Sequence, residues 1–258
     1  MKHPLIMVAP NGARRTQADH PALPVSLAET IATARACHRA GADALHLHIR
    51  DDTGGHSLDP GRYREALSEL ARTLPNMTVQ ITTESANIYD VPAQLRTLTQ
   101  VAPKWASVSI REIARAPDLA DAVYGACAHN DTRVQHILYD ANDAALLRDW
   151  QSRGIVRADQ GDVILVLGRY ATGQTSAPQE VAALRDTIPQ RANWMLCAFG
   201  ATEHACLLRA AQLGGDIRVG FENSLYAADG TLHPDNAASV ATLIARLNTL
   251  TPMRSLAT

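Results

Sequence analysis

Within residues 44–51 (ALHLHIRD) the side-chain types alternate. On a strand, successive side chains point to opposite faces, so Leu45, Leu47 and Ile49 share one face while His46, His48 and Arg50 share the other. A parallel strand buried on both faces is expected to be apolar throughout, and two imidazoles with a guanidinium are costly in an interior unless something compensates them. A metal ion would do so, because two His at i and i+2 on one strand face can bind the same cation. The spacing alone is a weak signal, and two hydrogen-bonded core histidines are the commoner cause of it.

The elements that would position these residues repeat along the whole chain. Short apolar runs rich in β-formers alternate with longer Ala/Leu/Arg segments of helical period. Strands are expected at 5–9, 44–50, 78–83, 105–110, 133–140, 162–168, 193–199 and 216–222. The first helix starts after Ser26, where Ser26 and Glu29 form the ends of a capping box. The others are expected at 62–73, 91–100, after Pro117, and at 144–152, 179–187, 203–213 and 235–247. Eight β/α units in an uninterrupted chain of 258 residues predict a single (β/α)8 TIM-barrel domain spanning 1–258, in preference to an open doubly wound sheet. Such barrels carry their chemistry at the C-terminal ends of the strands and in the loops that follow, although the fold alone specifies no reaction.

Composition narrows the partners. Hydrophobic residues make up 46% and charged residues 19%, with a formal net charge of -2, which argues against disorder and against a nucleic-acid partner. A small-molecule partner is expected. No apolar run approaches the roughly 18 residues of a membrane span, and the apolar stretch near the N-terminus is short for a signal peptide, so a cytoplasmic location is expected. Cys37, Cys127, Cys197 and Cys206 form no C-x-x-C pair and are expected to be reduced, buried thiols.

Polar residues recur at the strand ends on the face where an inert barrel would be apolar. Strand 3 offers Gln80, Thr82 and Glu84, strand 4 offers Ser107 and Ser109, and strand 8 offers Asp216, Arg218 and Glu222. The opposite face of strand 8 carries Ile217, Val219 and Phe221. In a closed barrel strands 2 and 8 both flank strand 1, so His46, His48 and Glu222 can converge at the rim. Two imidazoles, a carboxylate and an open position describe a catalytic Zn²⁺ site, and Fe²⁺ or Mn²⁺ would accept similar ligands. Arg218 and Glu222 also fit an internal ion pair at i, i+4. The Arg14-Arg15 pair after strand 1 fits either a solvated loop or an anion clamp. His136 and His204 are expected to be structural or surface histidines, and Cys197 and Cys206 packing residues. No G-x-S-x-G, P-loop or G-x-G-x-x-G pattern is present.

Taken in order, NGARRT, AGADALHLHIRDDTG, VQITTES, VILVLG and GGDIRVGFENSLYAADGTLHPDNA resemble the β-keto acid cleavage enzymes, the family of 3-keto-5-aminohexanoate cleavage enzyme. The resemblance covers nearly the whole chain, and the H-x-H-x-R-[DE] and R-x-G-[LF]-E motifs carry it. It implies a Zn²⁺-dependent, homotetrameric TIM barrel that condenses a β-keto acid with acetyl-CoA, giving acetoacetate and a new acyl-CoA. By position it makes His46, His48 and Glu222 the metal ligands and Arg218 the support of an acid/base carboxylate, and it sets Thr82, Ser107 and Ser109 along the substrate. The metal would polarise the ketone while a base removes an α-proton from acetyl-CoA.

Three departures from the family pattern bear on this expectation. Asn223 stands where the pattern has an Asp, and an amide cannot accept a proton, which leaves Glu84, Asp51 or a metal-bound hydroxide as the base. Arg14 replaces a Glu and Ile137 another acid, so the far end of the substrate is expected to be anionic, as in a β-keto dicarboxylate. Ile110-Arg111-Glu112 replaces a pair of small residues, so the pocket is expected to be reshaped there. Two other readings stay open: a metal-dependent aldolase or hydrolase that uses the same ligands without CoA, and a ligand-binding barrel that has lost its base.

Overall fold

Each strand of the barrel is short, parallel to its neighbours and followed by at least one helix that covers its outer face. The structure, a computed structural model, describes residues 3–171, 173 and 175–250. Strand β1 (Ile6–Val8) pairs with β2 (Ala44–Leu47) on one side and with β8 (Asp216–Val219) on the other. Strands β3 (Thr78–Thr82), β4 (Trp105–Ser109), β5 (Arg133–Leu138), β6 (Asp162–Leu167) and β7 (Trp194–Ala198) close the ring in chain order. The architecture is a (β/α)8 barrel. Among the described residues no helix is long and apolar enough to cross a membrane.

Alternation divides every strand between two cores. Outward residues such as Leu45, Leu47, Ile81, Val108 and Leu165 pack under the helices in the larger core. Inward residues fill the barrel with Met7, Ala44, Trp105, Ile164, Met195 and Cys197. Register carries polar groups into this interior toward the rim: His46 stands opposite Gln80, Thr82 opposite Ser107, and Met7 opposite Arg218. All four cysteines are free and buried, Cys197 inside the barrel and the rest against the helices.

The helices begin where side chains can satisfy their free amide groups. Ser26 and Glu29 form the expected capping box on α1 (Leu27–Arg39). Helix α2 (Pro60–Thr73) starts two residues earlier than the apolar pattern suggests, because Asp59 caps it by accepting from the Arg62 amide. Asp90 caps α3 (Val91–Val101), with Pro92 in its first turn, and Asp140 caps α5 (Ala141–Ser152). Between them, Pro117 opens a short 3₁₀ turn (Pro117–Leu119) that leads into α4 (Ala120–His129). The remaining helices are α6 (Glu180–Arg185), α7 (Glu203–Gln212) and α8 (Asn236–Leu250).

Three departures from the expected elements lie at the rim. Strand β2 ends at Leu47, and Ile49–Arg50 pair instead with His56–Ser57 in an antiparallel ribbon. Residues Ile110–Ile113 coil into a single helical turn directly after β4. Strand β8 stops at Val219, so Glu222 reaches the rim from a turn and not from the strand itself.

Candidate active site

His46 and His48 point their Nε2 atoms at each other across 3.2 Å, and Glu222 Oε2 lies 3.6 Å from the first and 3.4 Å from the second. The rest of the structure leaves these atoms little choice of proton. His46 Nδ1 donates to Gln80 Oε1 at 2.7 Å, and Gln80 spends its amide on Gln135 Oε1 at 2.9 Å, which fixes which end of Gln80 accepts. His46 therefore presents a bare Nε2 lone pair to the site, the arrangement a ligating imidazole needs. Burial, reinforced by Arg218, lowers the His46 pKa to about 3 and keeps the ring neutral. Glu222 Oε2 is buried without a hydrogen-bond partner. Burial works against the Glu222 carboxylate, but the Arg218 guanidinium 2.9 Å from Oε1, with His46 and His48 beside it, holds its pKa well below the usual range. His48 Nδ1 is buried without a partner, so nothing holds the His48 proton away from Nε2; once Nε2 is free of it, the three atoms offer the N, N and O donor set that a divalent cation accepts.

A turn delivers Glu222. Gly220 has φ +138°, and a Cβ there would lie 2.5 Å from the Ala9 carbonyl oxygen, so only glycine fits. Two helix side chains hold the turn from behind: Glu203 accepts the Gly220 amide at 3.1 Å, and Asn236 accepts the Phe221 amide at 2.9 Å while donating to the Pro10 carbonyl at 3.0 Å. Phe221 does not face the barrel helices. It packs with Leu23 and Leu225 under the loop after β1, a burial worth about 1.5–3 kcal/mol. Arg50 ties the same loop down by donating to the carbonyls of Gly12, Ala13 and Arg15. Sequence reasoning missed Asn236 and Glu203, whose contacts link residues far apart in the chain.

At the mouth, Glu84 is the carboxylate nearest to this point after Glu222, with Oε2 3.9 Å from His48 Nε2. Its other oxygen pairs with Arg14 at 3.1 Å and with Arg169 at 3.5 Å. Burial raises the Glu84 pKa above the ordinary carboxylate value. Thr82 and Ser109 line the inner cavity, and Thr82 Oγ1 accepts the Glu84 amide. Ser107 is fully buried below them, and neither Ser107 Oγ nor Ser109 Oγ has a partner. Ile137 is part of the same wall, as are Glu112 and Tyr139. Arg111 turns away to a bidentate pair with Asp143 and stacks on Tyr139, whereas Glu112 accepts from Ser85 and Gln94. The triplet after Ser107-Val108-Ser109 therefore adds an acid to the wall.

Asp51, a candidate base, and Asn223, at the family's acid position, both lie apart from the inner cavity. Asp51 is exposed, and its Oδ1 accepts from the Thr53 and Gly55 amides within its own turn. Asn223 is fully buried, neither of its amide atoms has a partner, and it is absent from the cavity walls. Arg169 was not singled out from sequence; its only signal is its place directly after the β6 segment Asp162–Leu167 and Gly168. His136 and His204 are buried structural histidines, bonded to the Gln160 carbonyl and to Ser239 Oγ.

Barrel, histidine pair and glutamate define a (β/α)8 barrel whose mouth carries a ligand set that could hold a metal ion. The sequence profile of the β-keto acid cleavage enzymes matches residues 4–254, and the chain belongs to that family. It is 23% identical over 252 residues to a 3-keto-5-aminohexanoate cleavage enzyme of Fusobacterium nucleatum, covering 95% of this chain and 91% of that one. It is 25% identical over 256 residues to a 3-oxoadipate:acetyl-CoA acetyltransferase of Cupriavidus necator, covering 93% and 87%. Among solved structures, a ternary complex of ObcA with a C4-CoA adduct and oxalate matches with a TM-score of 0.68 at 18% identity over 89% of this chain. This chain spans 64% of that protein's length, and the likeness is one of fold.

Proposed function

We propose that this enzyme condenses a β-keto acid bearing an anionic far end with acetyl-CoA, releasing acetoacetate and a new acyl-CoA. The observation that carries the proposal is the convergence of His46 Nε2, His48 Nε2 and Glu222 Oε2 within 4.8 Å of one another, without a donor to satisfy Glu222 Oε2. Those three residues would hold Zn²⁺, which supplies Lewis-acid polarisation of the keto acid's carbonyl when bound. The relatives' names support both co-substrates, since one is a 3-oxoadipate:acetyl-CoA acetyltransferase and another, from Paraburkholderia graminis, a 3,5-dioxohexanoate:acetyl-CoA acetone transferase.

Carbon balance decides where the proton leaves. An acetyl-CoA carbanion added to the ketone would give a branched tertiary alcohol, and cleaving either of its carboxymethyl arms would release acetyl-CoA or acetate but no acetoacetate. The sequence-based expectation of proton loss from acetyl-CoA is therefore replaced by loss from C2 of the keto acid. The C2 carbanion attacks the acetyl carbonyl and expels the CoA thiolate. The thiolate then adds to the original ketone, the C2–C3 bond breaks, and acetoacetate leaves as its C2 carbanion to be reprotonated. Glu84 Oε2 is the group that takes and returns this proton, because it faces His48, burial raises its pKa above the ordinary carboxylate value, and Asn223 cannot do so. Arg218 keeps Glu222 ionised. Thr82, Ser107 and Ser109 offer hydroxyls along the substrate, and Arg14 offers a guanidinium to its far end.

Metal analysis of the purified protein and of His48→Ala, with acetoacetate assayed over a panel of β-keto acids, tests the reading. Stoichiometric zinc that is lost in the variant is expected. The reading fails if zinc-loaded protein with acetyl-CoA forms no acetoacetate from any member. Product without CoA-ester formation would favour a hydrolase or aldolase. The homotetramer implied by the family is checked by light scattering.

A further inference from the structure

We propose that Arg14 and Arg169 form a subsite for the second carboxylate of a β-keto dicarboxylate, and that Glu84 fills it as an internal stand-in until the substrate displaces it. The inference rests on the functional reading above and adds to it a second arginine and an exchange.

Arg14 comes from the loop after β1 and Arg169 from the loop after β6, yet both guanidiniums meet the same oxygen, Glu84 Oε1. Arg14 is about half exposed, whereas Arg169 is only 18% exposed and lies over the Phe199 ring, 5.2 Å from its centroid. Two fixed cations sharing one carboxylate leave positive charge in surplus, and guanidinium forks are matched to carboxylates. Arg15 does not compete for this role, because its guanidinium donates to the Phe221 carbonyl.

Space points the same way. The inner cavity, bounded by His46, Thr82, Arg218 and Glu222, holds about 20 Å³, close to the room one water needs. Outside it, between residues 11–15 and Phe199, lies a cavity of about 170 Å³. Glu84 and Arg169 belong to the walls of both. A β-keto acid cannot enter the inner cavity while the Arg14–Glu84–Arg169 bridge stands, so substrate entry requires Glu84 to let go. A substrate whose far carboxylate takes over both guanidiniums replaces the broken ion pairs with equivalent ones. A neutral-tailed substrate offers nothing in exchange, and a ligand can shift a conformation only by its differential affinity for the two states. Displacement also frees Glu84 on the side that faces His48, so the charge at the far end reports itself at the reacting end.

Calorimetric titration with glutarate, a dicarboxylate without a ketone, tests the subsite apart from turnover. Arg14→Gln and Arg169→Gln are each expected to weaken binding about five- to tenfold, and Glu84→Gln to tighten it by a similar factor because the competitor is gone. Kinetics with 3-oxoadipate and its far-end methyl ester supply the second readout. The wild-type preference for the diacid, as kcat/KM, should fall about tenfold in Arg169→Gln, because the diacid loses a partner while the weakened bridge yields more readily to the ester. An unchanged preference in Arg169→Gln overturns the subsite, and glutarate binding no tighter in Glu84→Gln overturns the stand-in. Glutarate discrimination without acetoacetate from either compound would uphold the subsite and sink the cleavage reading. Acetoacetate from both compounds alike, with glutarate bound equally by all variants, would do the reverse.

Discussion

Replacing Asn236 with Ala should damage a metal site that the residue never touches. Asn236 accepts the Phe221 amide and donates to the Pro10 carbonyl, and both bonds are buried. Removing the side chain strands one buried donor and one buried acceptor, each costing about 1–3 kcal/mol, so the variant should lose about 2–6 kcal/mol of stability. The stranded amide is one residue before Glu222, in a turn otherwise held by Glu203 and by the close approach of Gly220 to Ala9. Loosening that turn lets the Glu222 carboxylate wander from the two imidazoles. Supports of this kind typically cost 10- to 100-fold in metal affinity when lost, and about that loss is expected. Urea unfolding gives the stability, and competition with a chelating dye gives the zinc affinity. A variant that loses the expected stability yet binds zinc as tightly as the wild type would refute the claim that this turn sets the position of Glu222.

Gln80→Leu removes the acceptor that keeps the proton of His46 on Nδ1, and zinc affinity by the same dye competition should fall about 10- to 100-fold; an unchanged affinity would show that the relay through Gln135 is dispensable. His136 makes a prediction about pH. Burial lowers its pKa from 6.5 to about 4, so between those values the unfolded chain binds more protons, and stability falls as pH drops through the window. The neutral ring's contribution is complete above about pH 6.5 and lost by about pH 4, a change of about 3 kcal/mol. His136→Gln should flatten that part of the stability curve relative to wild type, and parallel curves would contradict the assignment.

The barrel was legible because its signals are local. Alternation along each strand, the Ser26–Glu29 capping box and the regular spacing of apolar runs need no knowledge of distant residues. The strand face carrying His46 and His48 was legible for the same reason, and closure of the ring brought Glu222 to them through the adjacency of β2, β1 and β8. Alternation misled where the backbone leaves the strand. It carried strand 8 through Gly220, whose positive φ turns the chain, and so set Phe221 under a helix when it lies under the loop after β1. The aspartate caps at Asp59 and Asp140 moved helix starts outward, because polar residues at a first turn interrupt an apolar period without ending the helix. Arg169 and Asn236 carried no local signal, since each gains its meaning from partners 15 to 226 residues away.

The most direct test of the account follows the acetyl group. With zinc-loaded protein, 3-oxoadipate and acetyl-CoA labelled with ¹³C in both acetyl carbons, the label should appear in C3 and C4 of acetoacetate, and the new acyl-CoA should be unlabelled. Labelled acyl-CoA, or acetoacetate without label, would contradict it.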